Sequence, residues 1–414
     1  MTERNDAGHT TRPRVLYIVY WGAGEPLGQS LVLPAVKSLA ARGVRFTLVT
    51  FDKPLDADHR AYMSAIRADL RESGVDWISL RYHKRPRLPA TAWDVLHGWS
   101  RSIMASLRGR PDIVHGRTFV GGVIGRAVAS TLGSRFVYHN EGFYPDEQVD
   151  GGFWAAGSAH HRVTLAVESR LYDSADGLVA LSHRARGVLE SRPEVSRRRT
   201  PVIVVPSCVD LEVFHPRAGL LPHGPLRFVY IGAVGGRYRL DEAARFVAVA
   251  ARDSAAELRV LSRADSRLVA EMVDAGGLSS ESWSLGSAPH PEMPSLLVQH
   301  QVGLFFLARG TSEYGCSPTK VGEYWASGLP VVTTANASDL DDIIERHRVG
   351  VVVGGRTDDD YRSAFHRLQQ LLQDPDLSHR CRAAAEEHYS LAPACERQLA
   401  LYHRLVAGGG LGYP

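Results

Sequence analysis

The 414-residue sequence holds only four lysines against 44 arginines, and only four cysteines, Cys208, Cys316, Cys381 and Cys395, set far apart. That spacing excludes a C-x-x-C redox pair and the paired ligands of a structural zinc site, and leaves reduced thiols, the cytosolic default, as the expectation. No apolar run is long enough to span a bilayer, and the polar opening MTERNDAGHTTR lacks the apolar stretch of a secretion signal, so a soluble, cytoplasmic chain is expected. Nor does one charge dominate: 48 basic residues face 45 acidic ones, net +3, which gives no overall field for nucleic acid or an anionic membrane. An anion site must therefore be local. No D-x-D carboxylate pair stands at a matching strand end, so neither a required metal nor a cofactor is expected.

What is present is length and a repeating pattern. At 44 % hydrophobic content the chain can bury large cores, and 414 residues favour two domains over one. Short β-rich runs alternate with longer helical patterns, the mark of parallel sheets with crossover helices. The first half carries seven runs: RVLYIVY (14–20), VRFTLVT (44–50), DWISL (76–80), DIVH (112–115), RFVYHN (135–140), GLVAL (177–181) and VIVV (202–205). FHPRAGLLPHGP (214–225) then breaks the pattern with prolines and glycines and reads as a linker. Five more runs follow: LRFVYIG (226–232), ELRVLS (257–262), VGLFFL (302–307), PVVTT (330–334) and VGVVV (349–353). The expected fold class is α/β with two Rossmann-like domains, residues 1–215 and 216–394. Open parallel sheets bind ligands beyond the carboxyl ends of their strands, so function belongs in the cleft between the two.

One segment for that cleft is SPTKVGEYWASGLPVV (317–332). Ser317 can cap a helix, Pro318 fits its first turn, and Gly328 ends it before the strand VVTT. Lys320 then sits in the first turn, where the helix dipole disfavours a cation by a few tenths to ~1 kcal/mol. An anionic ligand reverses that sign, because free N–H groups, dipole and ammonium all point at it. The alternative is a solvated pair of Lys320 with Glu323 at i,i+3.

The same segment looks like the donor site of the retaining glycosyltransferases of family four, whose GT-B architecture sets two Rossmann-like domains face to face. Four more segments resemble that family in its order: FVYHNEGFYPDEQVDGGFW (136–154), VVPSCVDLEVFHP (204–216), FVYIGAVGGRYRLDEAARF (228–246) and HPEMPSLLVQHQVGLFF (290–306). The resemblance implies transfer of a sugar from a nucleoside-diphosphate donor to a small-molecule or glycan acceptor, without metal. It places Glu323 as the second glutamate of an E-x7-E motif, clasping the ribose hydroxyls. The first glutamate is absent: position 315 is glycine, as in the branch whose motif reads S-P-x-K-x-x-E, so sugar contacts fall to the turn Gly315, Cys316 and Ser317. The diphosphate is expected beside the glycine loop Gly232 to Arg237, where Gly235 and Gly236 admit the anion and Arg237 forks its oxygens. The family's usual partner lysine beyond that loop is missing, and Lys320 stands in for it. In the first domain WGAGEPLGQS misses the dinucleotide fingerprint by one residue and offers Gly24 to Gly28 for close approach.

Retaining transfer in this family is described as departure of the diphosphate with attack from the same face, so cations matter more than a nucleophile. His115, at the end of DIVH, resembles the histidine placed by the donor sugar; the alternative is a hydrogen-bonded loop histidine. Arg117 and Glu141 are expected to meet the acceptor. TAWDVLHGWSRSIMASLRGR (91–110) is an amphipathic basic helix of the kind that lies on membranes, but its place between two strands makes it a crossover helix, and no membrane contact is predicted. The last helix, YSLAPACERQLALYHRLVAG, is expected to cross back to the first domain, so that 395–414 belongs there. Two other readings keep the fold: a non-catalytic nucleotide-sugar-binding partner and, further behind, a sugar-nucleotide 2-epimerase. The oligomeric state is not written in the sequence.

Overall fold

The computed structural model describes residues 12–53, 57–217, 219 and 224–407. The opening stretch, the terminal GGGLGYP and residues 218 and 220–223 of the expected linker lie outside the described residues. Seven strands form the first sheet: β1 Arg14–Val19, β2 Arg45–Asp52, β3 Asp76–Arg81, β4 Ile113–Arg117, β5 Arg135–His139, β6 Gly177–Ala180 and β7 Val202–Val204. Six form the second: β8 Leu226–Ile231, β9 Ala256–Leu261, β10 Trp283–Gly286, β11 Val302–Phe305, β12 Val331–Thr334 and β13 Gly350–Val353. The orders are β3-β2-β1-β4-β5-β6-β7 and β10-β9-β8-β11-β12-β13, with every pair parallel.

In both sheets the strand order reverses beside the first strand, between β1 and β4 and between β8 and β11. The loops at those two points open the crevice in which such sheets receive ligands. Apolar strands fill the sheets because both faces are covered: Val15, Tyr17 and Val19 feed one core of the first lobe, and Leu16 and Ile18 the other. A single larger core fills the second lobe.

Twelve of the strands coincide with expected runs to within a residue or two and β10 has no counterpart; the shift at β4 bears on the site. β4 continues to Arg117, two residues past the expected end, so His115 lies inside the strand, paired with Tyr17 of β1 and Val137 of β5. β10 was not anticipated, because WSLG at a half-exposed sheet edge needs no apolar run. The helix Arg87–Ser106 crosses from β3 to β4, with Gly98 close against Phe51 and Ile124. The tail helix Leu391–Val406 returns to the first lobe, where Leu401 packs on Gly177 and the Arg397 Nε donates to the Val204 carbonyl at 2.8 Å. No helix among the described residues is long and apolar enough to cross a membrane.

Candidate active site

The helix Thr319–Ala326 starts at Pro318, without a capping side chain. Ser317 was expected to cap it, but its hydroxyl accepts from the Ser207 N–H of the first lobe at 3.0 Å. Lys320 sits half-buried in the first turn. Its ammonium lies 4.5 Å from the centroid of the Tyr238 ring and 5.5 Å from those of Tyr230 and Phe305. Burial draws its pKa down to about 8, against the opposing pull of Glu323. The expected alternative, an ion pair with Glu323, does not form: the Glu323 carboxylate takes the Nε2 of His290 at 2.9 Å instead. That bond raises the His290 pKa. His290 stood in a quoted segment, yet nothing in its spacing marked it as the partner of Glu323.

The glycine loop comes to the ammonium. A Cβ on Gly232 would lie 2.9 Å from the Lys320 Nζ, and Gly232 adopts φ +104, a conformation open to glycine. Gly235 and Gly236 are also left-handed, at φ +86 and +60, and Gly235 closes a tight turn by exchanging backbone hydrogen bonds with Tyr238. The loop is pinned to the end of β11 through the Arg239 N–H on Phe306 O and the Ala308 N–H on Arg237 O. Lys320, Gly232 and the loop after β8 thus form one corner of the second lobe, with Glu323 one turn further along the helix.

Arg237 departs from expectation. Its Nη1 donates to Glu147 Oε1 of the first-lobe helix Tyr144–Asp150 at 2.5 Å, although its buried Nε has no partner. The guanidinium is therefore committed to a carboxylate across the lobes, where a fork onto phosphate was expected. The turn 315–317 is likewise occupied. Gly315 lies against Gly142 and Phe143, where a Cβ would come within 2.9 Å of the Gly142 Cα, so this contact has no room for the missing glutamate. The Cys316 N–H donates to Glu313 O at 3.3 Å, and burial pushes its thiol up to about 11. Of this turn, the Cys316 amide and the Ser317 hydroxyl are thus engaged within the protein. Glu313 itself is buried, accepts from the Gly310 N–H at 2.5 Å, and is raised by burial to about 7.

In the first lobe, Arg117 and Glu141 form a close ion pair, and the Arg117 guanidinium also reaches the Leu31 carbonyl at 3.3 Å beneath the Trp21 ring. His115 is corrected: it is fully buried, its Nδ1 bonds the Tyr402 hydroxyl of the tail helix at 2.7 Å, and it stacks on Tyr17 at 4.4 Å between ring centroids. Burial, with Arg117 next, holds its pKa well below the ordinary imidazole value, so it is neutral and faces the protein interior. The longer β4 places it inside the sheet, paired with Tyr17 and Val137, and not at the strand end. Gly24 is half-buried in the turn after β1, with the neighbouring Ala23 N–H held by Asp52 at 2.7 Å.

Two features lie elsewhere. A cavity of about 240 Å³ opens between the lobes on the other side of the 316–318 turn, lined by Ser182, His183, Cys316, Ser317, Asp339 and His388 among others, but not by Lys320 or Glu323. His347 and His388 bring their Nε2 atoms to 2.9 Å, with Glu387 at 3.5 and 3.7 Å. Two ligands of one tetrahedral zinc stand about 3.3 Å apart, so this spacing is that of a proton shared between imidazoles.

The sheet orders, the facing switch points and the returning tail helix define the architecture. The fold is GT-B. Residues 30–207, nearly the whole first lobe, match the family model of the glycosyl transferase 4-like domain. No curated protein sequence matches the chain. Among solved GT-B structures, the chain is similar to the sucrose-phosphate synthase of Thermosynechococcus elongatus, with a TM-score of 0.68 and 17 % identity over 96 % of this chain and 100 % of that one. It is similar also to Anabaena HepE in complex with UDP-glucose, with a TM-score of 0.64 and 12 % identity over 94 % and 98 % of the two chains. An E. coli trehalose-6-phosphate structure bound with UDP-2-fluoro glucose gives a TM-score of 0.68 and 11 % identity over 94 % and 99 %.

Proposed function

We propose that the chain is a retaining glycosyltransferase that moves a sugar from a nucleoside-diphosphate donor to a hydroxyl or amine of a small-molecule or glycan acceptor, without a metal. The observation that carries this reading is the corner at Lys320. An ammonium at the mouth of an uncapped helix lies against the Gly232 backbone, with no carboxylate of the described residues in ion pair with it. The dipole, the uncapped helix N-terminus and the glycine approach all favour a bound diphosphate, whose charge would hold the lysine protonated. Glu323, steadied by His290, accepts from the ribose hydroxyls.

In that arrangement Lys320 neutralises charge on the departing diphosphate. Arg237 joins it once released from Glu147. The Arg117–Glu141 pair, where the first lobe meets the gap, orients the acceptor, and His115 acts through the strand it steadies rather than on the sugar. The structures of similar fold that hold UDP-glucose and UDP-2-fluoro glucose support a sugar nucleotide as donor.

A second reading, a nucleotide-sugar-binding partner without catalysis, is favoured by one contact: Gly315 packs so closely on Gly142 that the first glutamate of the motif has no space. Release of nucleoside diphosphate from sugar nucleotides by the purified chain separates the two. Slow hydrolysis abolished in Lys320→Ala and Glu323→Ala supports transfer, and binding without release supports the partner role. Unchanged nucleotide affinity in both variants, where a loss of about tenfold or more is expected, would remove the site assignment.

A further inference from the structure

The helix Arg87–Ser106 is attached to its sheet by an unusual face. Asp94, Gly98, Ser102 and Ser106, spaced four apart, point inward; Asp94, Ser102 and Ser106 are buried, and Gly98 touches Phe51 and Ile124. The Asp94 carboxylate takes the Tyr20 hydroxyl at 2.7 Å and His83 Nδ1 at 2.6 Å, with Val95, Trp99 and Ile103 completing the contact. The remaining large apolar side chains point the other way. Leu88 is 67 % exposed, Trp93 57 %, Leu96 55 %, Met104 57 % and, just past the helix end, Leu107 81 %. An ordinary crossover helix turns its apolar stripe to the sheet and a polar face to water. This one has an apolar stripe on the outside as well, running the helix length of about 30 Å.

Charge selects the occupant. The stretch 81–110 contains seven basic residues, Arg81, Lys84, Arg85, Arg87, Arg101, Arg108 and Arg110, and a single acid, the buried Asp94. Beside the lower end of the helix a groove of about 560 Å³ is lined by Arg14, Arg45, Arg101 and Arg108 together with Met104, with Asp76 as its one acid. A second copy seated on this face would bring arginines against arginines with no exposed carboxylate in the stretch to answer them. A bilayer of anionic lipids answers both features: its acyl boundary takes the apolar stripe, and its headgroup phosphates take the basic rim.

We propose that the outer face of the helix Arg87–Ser106, with Leu107 and the flanking arginines, docks the protein on an anionic membrane surface. The docking is peripheral, and it is independent of the sugar-transfer reading, since none of these side chains belongs to the Lys320 corner or the Arg117–Glu141 pair.

Flotation of the full chain with vesicles of phosphatidylcholine, with and without phosphatidylglycerol, tests it. Binding is expected only to the phosphatidylglycerol vesicles, weakened by added salt, with Trp93 fluorescence shifting to the blue. The combined variant Trp93→Ser, Leu96→Ser, Leu107→Ser and the separate variant Arg101→Gln, Arg108→Gln should each lower vesicle affinity about tenfold or more. Thermal unfolding of both should match the parent, because the replaced side chains face outward. Absence of vesicle binding by the parent, or binding unchanged in both variants with folding intact, overturns the proposal. A concentration-dependent dimer in analytical ultracentrifugation that is lost in the triple-serine variant, without vesicle binding, would overturn it in favour of an interface between copies. Nucleoside-diphosphate release by the triple variant in solution distinguishes failure here from failure of the transfer reading.

Discussion

At the scale of single residues, Lys320 is governed by what surrounds it. With its pKa drawn down to about 8 by burial, the ammonium is half deprotonated in the ligand-free protein at that pH, and a diphosphate must bind the charged form. Nucleoside-diphosphate affinity measured by calorimetry is expected to fall with rising pH, by up to about tenfold per unit above the lysine pKa, with proton uptake on binding. Lys320→Arg, which keeps its charge, should flatten that profile; equal slopes for both proteins would contradict the placement. Glu168 makes the opposite kind of statement, about folding. Burial raises its carboxyl from 4.5 to about 8, only partly offset by Arg192 at 3.8 Å. Between those values the folded chain keeps a proton that the unfolded chain has lost, so stability declines as pH rises through the interval. Glu168→Gln removes the titration, and its unfolding free energy from chemical denaturation should be flatter with pH and higher than the parent's above the interval, by ~1–3 kcal/mol. Lys320 was legible as a candidate because a cation is odd in the first turn of a helix, and Glu323 because it stands at the second glutamate of the motif that the segment resembles. Those that sequence reading misplaced, Arg237 and Ser317, have side chains engaged by the opposite lobe, which no local pattern records.

Among elements, the helix Thr319–Ala326 owes its position to a missing side chain. Gly322 faces Tyr389 and Val209, and a Cβ there would come within 2.5 Å of the Tyr389 ring. Gly322→Ala should push the helix off its neighbour and destabilise the second lobe by ~1–3 kcal/mol, read from chemical denaturation, with nucleotide affinity falling as the Lys320 corner shifts. The strands were legible because parallel sheets covered on both faces demand continuous apolar runs, and these are visible without partners. β10 was not, since an edge strand buries little. His115 was misread for a related reason: the two residues that extend β4, Gly116 and Arg117, are a small residue and a charged one, and neither announces a strand. In fact Gly116 allows the following helix to approach, with a Cβ only 2.6 Å from Gly121 O, and Arg117 is neutralised by Glu141.

For the whole molecule, polar contacts tie the two lobes together beside the packing of Tyr314 and Gly315 on the first lobe. Arg237 reaches Glu147, the Ser312 N–H reaches Asp150 at 3.0 Å, the Ser182 hydroxyl reaches Tyr314 O at 2.8 Å, and Ser317 holds Ser207. Each is individually modest, and domain interfaces of this polar kind separate readily. Arg237→Ala removes the one ion pair among these and is expected to enlarge the radius of gyration of the ligand-free protein in small-angle scattering; an unchanged radius would show that the remaining ties, among them the Asp150 and Asp339 contacts, suffice. That the chain would form two sheets with a cleft was plain from the doubled alternation and the proline-rich break. How closely the lobes are drawn together was not, because every tie joins residues far apart in the chain.

One of those ties couples shape to local order. Asp339 of the second lobe accepts from the first two amides of the first-lobe helix His183–Ser191, at 2.7 and 2.9 Å, while Ser182 serves the third. The start of that helix is therefore completed by a carboxylate it does not own. Any movement that parts the lobes must also fray it, so deuterium uptake at the amides of His183 and Arg184 should rise and fall with opening, and slow when a nucleotide holds the gap shut.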